Sequence, residues 1–71
     1  MVYWFSENLK RIRKEKGMSQ RDLAKRMNVS QVIICAWEGN LKYPLLDKVY
    51  DVANALDTDV AELLKDPQKS Q

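Results

Sequence analysis

A chain of 71 residues, 45% hydrophobic and 31% charged, has room for one small core and a composition near the globular average, which excludes a fibrous or disordered chain. With no histidine and one cysteine, Cys35, an internal disulfide is excluded, a structural zinc site has almost no ligands, and the commonest proton-transfer group of enzymes is missing. The net charge of +2 is unevenly spread: eight Lys and Arg stand against three acids up to Ser30, and four lysines against seven acids after it, leaving +5 and −3.

The opening Met1-Val2-Tyr3-Trp4-Phe5 lacks the charged start and apolar run of a signal peptide, and no stretch approaches the roughly 20 apolar residues of a bilayer crossing, so a cytoplasmic chain without a membrane is expected. The first helix runs from Phe5, with Leu9 and Ile12 on its inner face and Lys10, Arg11 and Lys14 outside, to a stop at Gly17. Tyr3 and Trp4 precede it and either cover the outside of the first and last helices or add to a dimer contact. Ser19 is an N-cap with Asp22 as the acidic half of a capping box, and the second helix carries Leu23, Ala24 and Met27 to a tight turn at Asn28 and Val29. Ser30 caps a third helix reaching about Glu38, closed by Gly39 or Asn40.

After a loop over Asn40-Leu41-Lys42-Tyr43, Pro44 suits the beginning of a fourth helix whose inward positions are Leu46, Val49, Val52, Ala53 and Leu56. Asp57 or Thr58 breaks it, and Asp59 caps a short fifth helix that buries Val60, Leu63 and Leu64. A single domain over residues 1–66 with a disordered tail at 67–71 follows, an all-α, compact five-helix fold with Trp37 largely buried. Gly17 and Gly39, the only glycines, each sit at a helix end, so no phosphate-binding loop and no cofactor site is expected.

Gln20 to Glu38 places two short helices about a turn of three to four residues, the helix-turn-helix arrangement, which is by itself as compatible with a structural hairpin as with DNA binding. The pieces Phe5-x-x-x-Leu9-x-x-Ile12-Arg13, Lys16-Gly17-Met18-Ser19-Gln20, Leu23-Ala24, Val29-Ser30, Ile34-x-x-Trp37-Glu38-Gly39, Pro44, Val52-Ala53-x-x-Leu56 and Leu63 resemble, in order and spacing, the repressor and Cro-like (XRE) helix-turn-helix domains. That resemblance spans about Phe5 to Leu64 and implies a DNA-binding transcriptional regulator, a repressor in the first instance, with the third helix in the major groove. It also implies that Arg13 and Glu38 form a structural ion pair. Base reading falls on Ser30, Gln31, Val32, Ile33 and Ala36, and backbone contact on Gln20, Arg21, Asn40 and Lys42. Gln20 is also placed to support the third helix.

The reading face departs from the family's habit in having no arginine or lysine. Gln31 can pair with adenine and Val32 and Ala36 can meet thymine methyls, but the commonest guanine contact is lacking. One such helix reads few bases, so a homodimer on paired half-sites of double-stranded DNA is expected. The competing reading makes Val32, Ile33, Cys35 and Ala36 a docking surface for a regulatory protein partner, in an antitoxin-like or co-regulator role. No catalytic residue and no metal ligand set is expected.

Overall fold

The computed structural model describes residues 4–66, and among them it shows five helices and no strand, the expected all-α architecture. They are α1 (Phe5–Glu15), α2 (Gln20–Met27), α3 (Gln31–Glu38), α4 (Leu46–Leu56) and α5 (Val60–Leu64). Tyr3 and the tail from Pro67 lie outside the described residues.

Local chemistry sets most of the helix ends. Ser19 and Asp22 form the capping box at the start of α2: the Asp22 N–H donates to Ser19 Oγ and the Ser19 N–H donates to Asp22 Oδ2, both at 3.0 Å. Helices α1 to α4 all end by one device, a residue in the left-handed region followed by an N–H that reaches back five residues. Gly17 (φ 72°) supplies it for α1, but Asn28 (φ 58°), Asn40 (φ 63°) and Asp57 (φ 55°) supply it for the other three. Asn and Asp are the residues besides glycine that visit this region routinely. At Asn28 the device turns the chain within three residues, so α3 starts immediately beside α2. For α3 the left-handed residue is Asn40, while Gly39 keeps an ordinary φ of −86°.

One buried cluster holds the helices together: Phe5, Leu9 and Ile12 from α1, Leu23 and Ala24 from α2, Ile34 and Trp37 from α3, Val49, Val52, Ala53 and Leu56 from α4, and Leu63 from α5. Met27, Val29, Val60 and Leu64 pack against it half-buried. Phe5 and Trp37 meet edge to face, with ring centroids 6.0 Å apart and planes at 81°, which joins the start of α1 to the end of α3.

Two expectations fail at one place. Pro44 does not begin α4, which starts at Leu46 with Leu45 extended as its N-cap, and Leu46 is 60% exposed, not part of the core. The buried stripe of α4 is centred on Val49, Val52, Ala53 and Leu56, and Leu46 falls at its edge, a turn ahead of the first packed residue.

Asn8, a polar residue on the inner side of α1, is fully buried and was not anticipated. Its Nδ2 donates to the carbonyls of Leu63 and Lys65, both at 2.8 Å, so it ties down the end of α5, whose five residues have little helical stability of their own. Asn8→Leu should therefore destabilise the domain by about 1–3 kcal/mol in urea unfolding, since those carbonyls lose their donors, and amide exchange in α5 should speed up before that of α2 and α3.

Candidate nucleic-acid interface

Helix α3 has a buried side and an exposed side. Ile34, Trp37 and Glu38 are buried, whereas Gln31, Val32 and Cys35 are exposed and Ala36 is intermediate. Ser30 stands extended before the helix and its Oγ accepts from the Val32 N–H at 3.0 Å, so its hydroxyl starts the helix. Val32 is 76% exposed while Trp37 is 4% exposed, which fixes the rotation of α3 with Gln31 and Val32 outward. Ile33 is half-buried against the core, between the two faces.

A buried polar clamp holds that rotation. Arg13 Nε donates to Glu38 Oε2 at 2.5 Å and its Nη2 to Oε1 at 3.0 Å, a bidentate pair in which both residues are buried. Arg13 Nη1 also donates to the Met18 carbonyl at 2.7 Å, and Gln20 Nε2 donates to Glu38 Oε1 at 3.0 Å. One carboxylate at the end of α3 thus receives α1 through Arg13 and the first residue of α2 through Gln20. Among the described residues no buried side-chain polar atom lacks a partner.

The other residues singled out above lie at the start of α2 and in the loop after α3. Gln20 and Arg21 begin α2, and Arg21 is exposed. The Asp22 carboxyl is held below its ordinary range, first by the Ser19 backbone N–H and then by the Ser19 side chain, with Lys25 and Arg21 adding. Asn40 is committed twice, by its left-handed backbone and by Oδ1 accepting from Ser6 Oγ at 3.3 Å. Lys42 is exposed and, with Lys48, borders a shallow groove of about 330 Å³ that Ile33, Tyr43 and Leu45 also line.

The site is therefore an exposed helix face carrying Gln31, Val32 and Cys35, with Lys42 beside it across the groove that Ser30 and Ile33 line. Among the described residues no three His, Cys, Asp or Glu come together as a metal site, and no helix is long and apolar enough to cross a membrane. The links Ser6–Asn40 and Arg13–Met18 were not anticipated. The first joins residues 34 apart in the chain, and the second has a backbone oxygen as its acceptor, which no residue type announces.

A family model described as helix-turn-helix matches residues 9–63. A curated relative, the uncharacterized HTH-type transcriptional regulator YqaE of Bacillus subtilis (strain 168), is 33% identical over 61 residues, which is 86% of this chain and 53% of that protein. The chain thus spans about half the length of the curated relative it matches. Among solved structures, the hypothetical transcription factor NHTF from Neisseria superposes with a TM-score of 0.87 at 28% identity, over 92% of this chain and 75% of that one. The restriction-modification controller protein C.AhdI from Aeromonas hydrophila superposes with a TM-score of 0.81 at 27% identity, over 87% of this chain and 94% of that one.

Proposed function

The chain belongs to the helix-turn-helix family, and from that premise we propose that it is a transcriptional regulator that binds double-stranded DNA in the cytoplasm and represses by occupying its site. The observation that carries this reading is the rotation of α3: the clamp on Glu38 and the burial of Trp37 hold Gln31 and Val32 outward at the start of the helix, on a face left exposed by the described residues. A helix so presented fits the major groove by its N-terminal residues. Gln31 is the residue to pair with adenine, and Val32 and Ala36 are those to meet thymine methyls, with Ser30 and Ile33 adjoining. Gln20, Arg21, Asn40 and Lys42 flank the helix and take the phosphates.

One eight-residue helix reads too few bases to select a site alone, so the regulator works as a homodimer on paired half-sites. Titration with random-sequence duplexes at two salt concentrations, followed by selection of preferred sites, tests the reading. Affinity must fall steeply with salt, because each phosphate neutralised releases counterions. No binding at low salt would sink it and favour α3 as a protein-docking face, which the exposed Val32 and the absence of Lys and Arg from α3 make the second reading.

Reading and positioning residues should fail differently. Lys42→Ala is expected to weaken binding to all sequences alike and to flatten the salt slope by about 0.9. Gln31→Ala is expected to lose about 1–3 kcal/mol of preference at one base position and leave the slope unchanged. Isothermal titration against the selected site and its single-base variants separates the two.

A further inference from the structure

Ser6 and Asn40 are 34 residues apart in the chain and meet where the start of α1 lies against the end of α3, beside the edge-to-face contact of Phe5 with Trp37. Ser6 is buried and Asn40 exposed, and Ser6 Oγ donates to Asn40 Oδ1 at 3.3 Å. A side-chain amide has one end that only accepts and one that only donates, so this bond turns the Asn40 oxygen toward the domain and Nδ2 toward solvent. Among the described residues nothing accepts from that Nδ2. The backbone of Asn40 is fixed as well: its φ is 63°, and the Leu41 N–H that follows closes α3 on the Ala36 carbonyl at 2.9 Å. The amide is thus held at its Cα and at its oxygen.

We propose that Ser6 is a positioning residue for DNA binding: it fixes the Asn40 amide so that Nδ2, and not Oδ1, meets a phosphate. The proposal rests on the reading of α3 as the helix that enters the major groove. An eight-residue helix rises about 12 Å, more than the groove's depth of about 8.5 Å. With Gln31 on the base edges, the residue just past the other end of α3 therefore stands at the level of the phosphates. Phosphate oxygens accept hydrogen bonds, and an amide free to turn over would also present its own oxygen to them, acceptor against acceptor. The Ser6 hydroxyl satisfies that oxygen from the protein side, so the donor end is ready before DNA arrives. Ordering the amide in advance removes part of the cost of binding.

Fluorescence anisotropy of a labelled duplex at low and at higher salt, with thermal melts of each protein, is the test. Asn40→Gly keeps the left-handed turn, so its melt should be no lower than wild type, while affinity falls about threefold to tenfold. Its salt slope should be unchanged, because no charge is lost. Asn40→Asp leaves an oxygen for Ser6 but sets a carboxylate at the phosphate; its deficit should exceed that of Asn40→Gly at low salt and narrow as salt rises. Ser6→Ala should weaken binding about twofold to fivefold in the wild-type background and have no further effect in the Asn40→Gly background. A hydroxyl with a merely structural role would not show that dependence on Asn40. Wild-type affinity in Asn40→Gly, or a Ser6→Ala effect that is absent or equal in both backgrounds, overturns the inference and leaves the DNA reading standing. A wild-type chain that binds no duplex at low salt removes both.

Discussion

Glu38→Ala is expected to destabilise the domain by about 3–5 kcal/mol, because it leaves the Arg13 guanidinium buried without its bidentate partner and takes the acceptor from Gln20 as well. A domain of this size has a total stability of only about 5–15 kcal/mol, and each kcal/mol moves its midpoint by about 4–8 °C, so the variant should melt some tens of degrees lower or fail to fold at room temperature. Urea unfolding followed by circular dichroism measures the first case, and loss of the cooperative transition reports the second. The double replacement Arg13→Met/Glu38→Leu should recover much of the loss, since a buried ion pair is costly mainly when one partner is removed. Its helix content can then be normal while α3 has lost the link from Gln20, and reduced DNA affinity in a stable double variant would show that the clamp orients the reading helix. A single Glu38→Ala cost below about 1 kcal/mol would refute the clamp.

The second large effect concerns Val32→Glu. Val32 is 76% exposed and is not part of the buried core cluster, so the variant should keep wild-type stability within about 0.5 kcal/mol. If α3 enters the major groove, the new carboxylate meets a polyanion at the centre of the contact, with a cost of several kcal/mol, and affinity for every duplex should fall on the order of 100-fold or more. Fluorescence anisotropy at low salt reads this directly. Val32→Ala should be milder and confined to sites with thymine opposite that position, because only a methyl contact is lost. Retention of full DNA affinity by Val32→Glu would remove α3 from the groove and leave its outer face to a protein partner.

The sequence by itself determined the parts governed by neighbours in the chain. Ser19 and Asp22 announce the start of α2, Asn28 the left-handed turn that ends it, and Ser30 the start of α3, because each acts on backbone groups within five residues. The rotation of α3 was legible too, since Ile34 and Trp37 share one side of a helix and Val32 and Cys35 do not. The pairing of Arg13 with Glu38 lay 25 residues apart and entered only through a family resemblance; the structure supplies the geometry that no spacing rule contains. Only the tertiary structure decided that Leu46 lies outside the core, that Asn8 holds α5 by its carbonyls, and that Tyr43, Leu45 and Tyr50 stand exposed near one another in sequence. The reason is common to all of these: an apolar residue at the edge of a helical stripe, or an amide on its inner side, is buried or exposed according to what the neighbouring helix brings to that spot, and periodicity along one helix carries no information about the other.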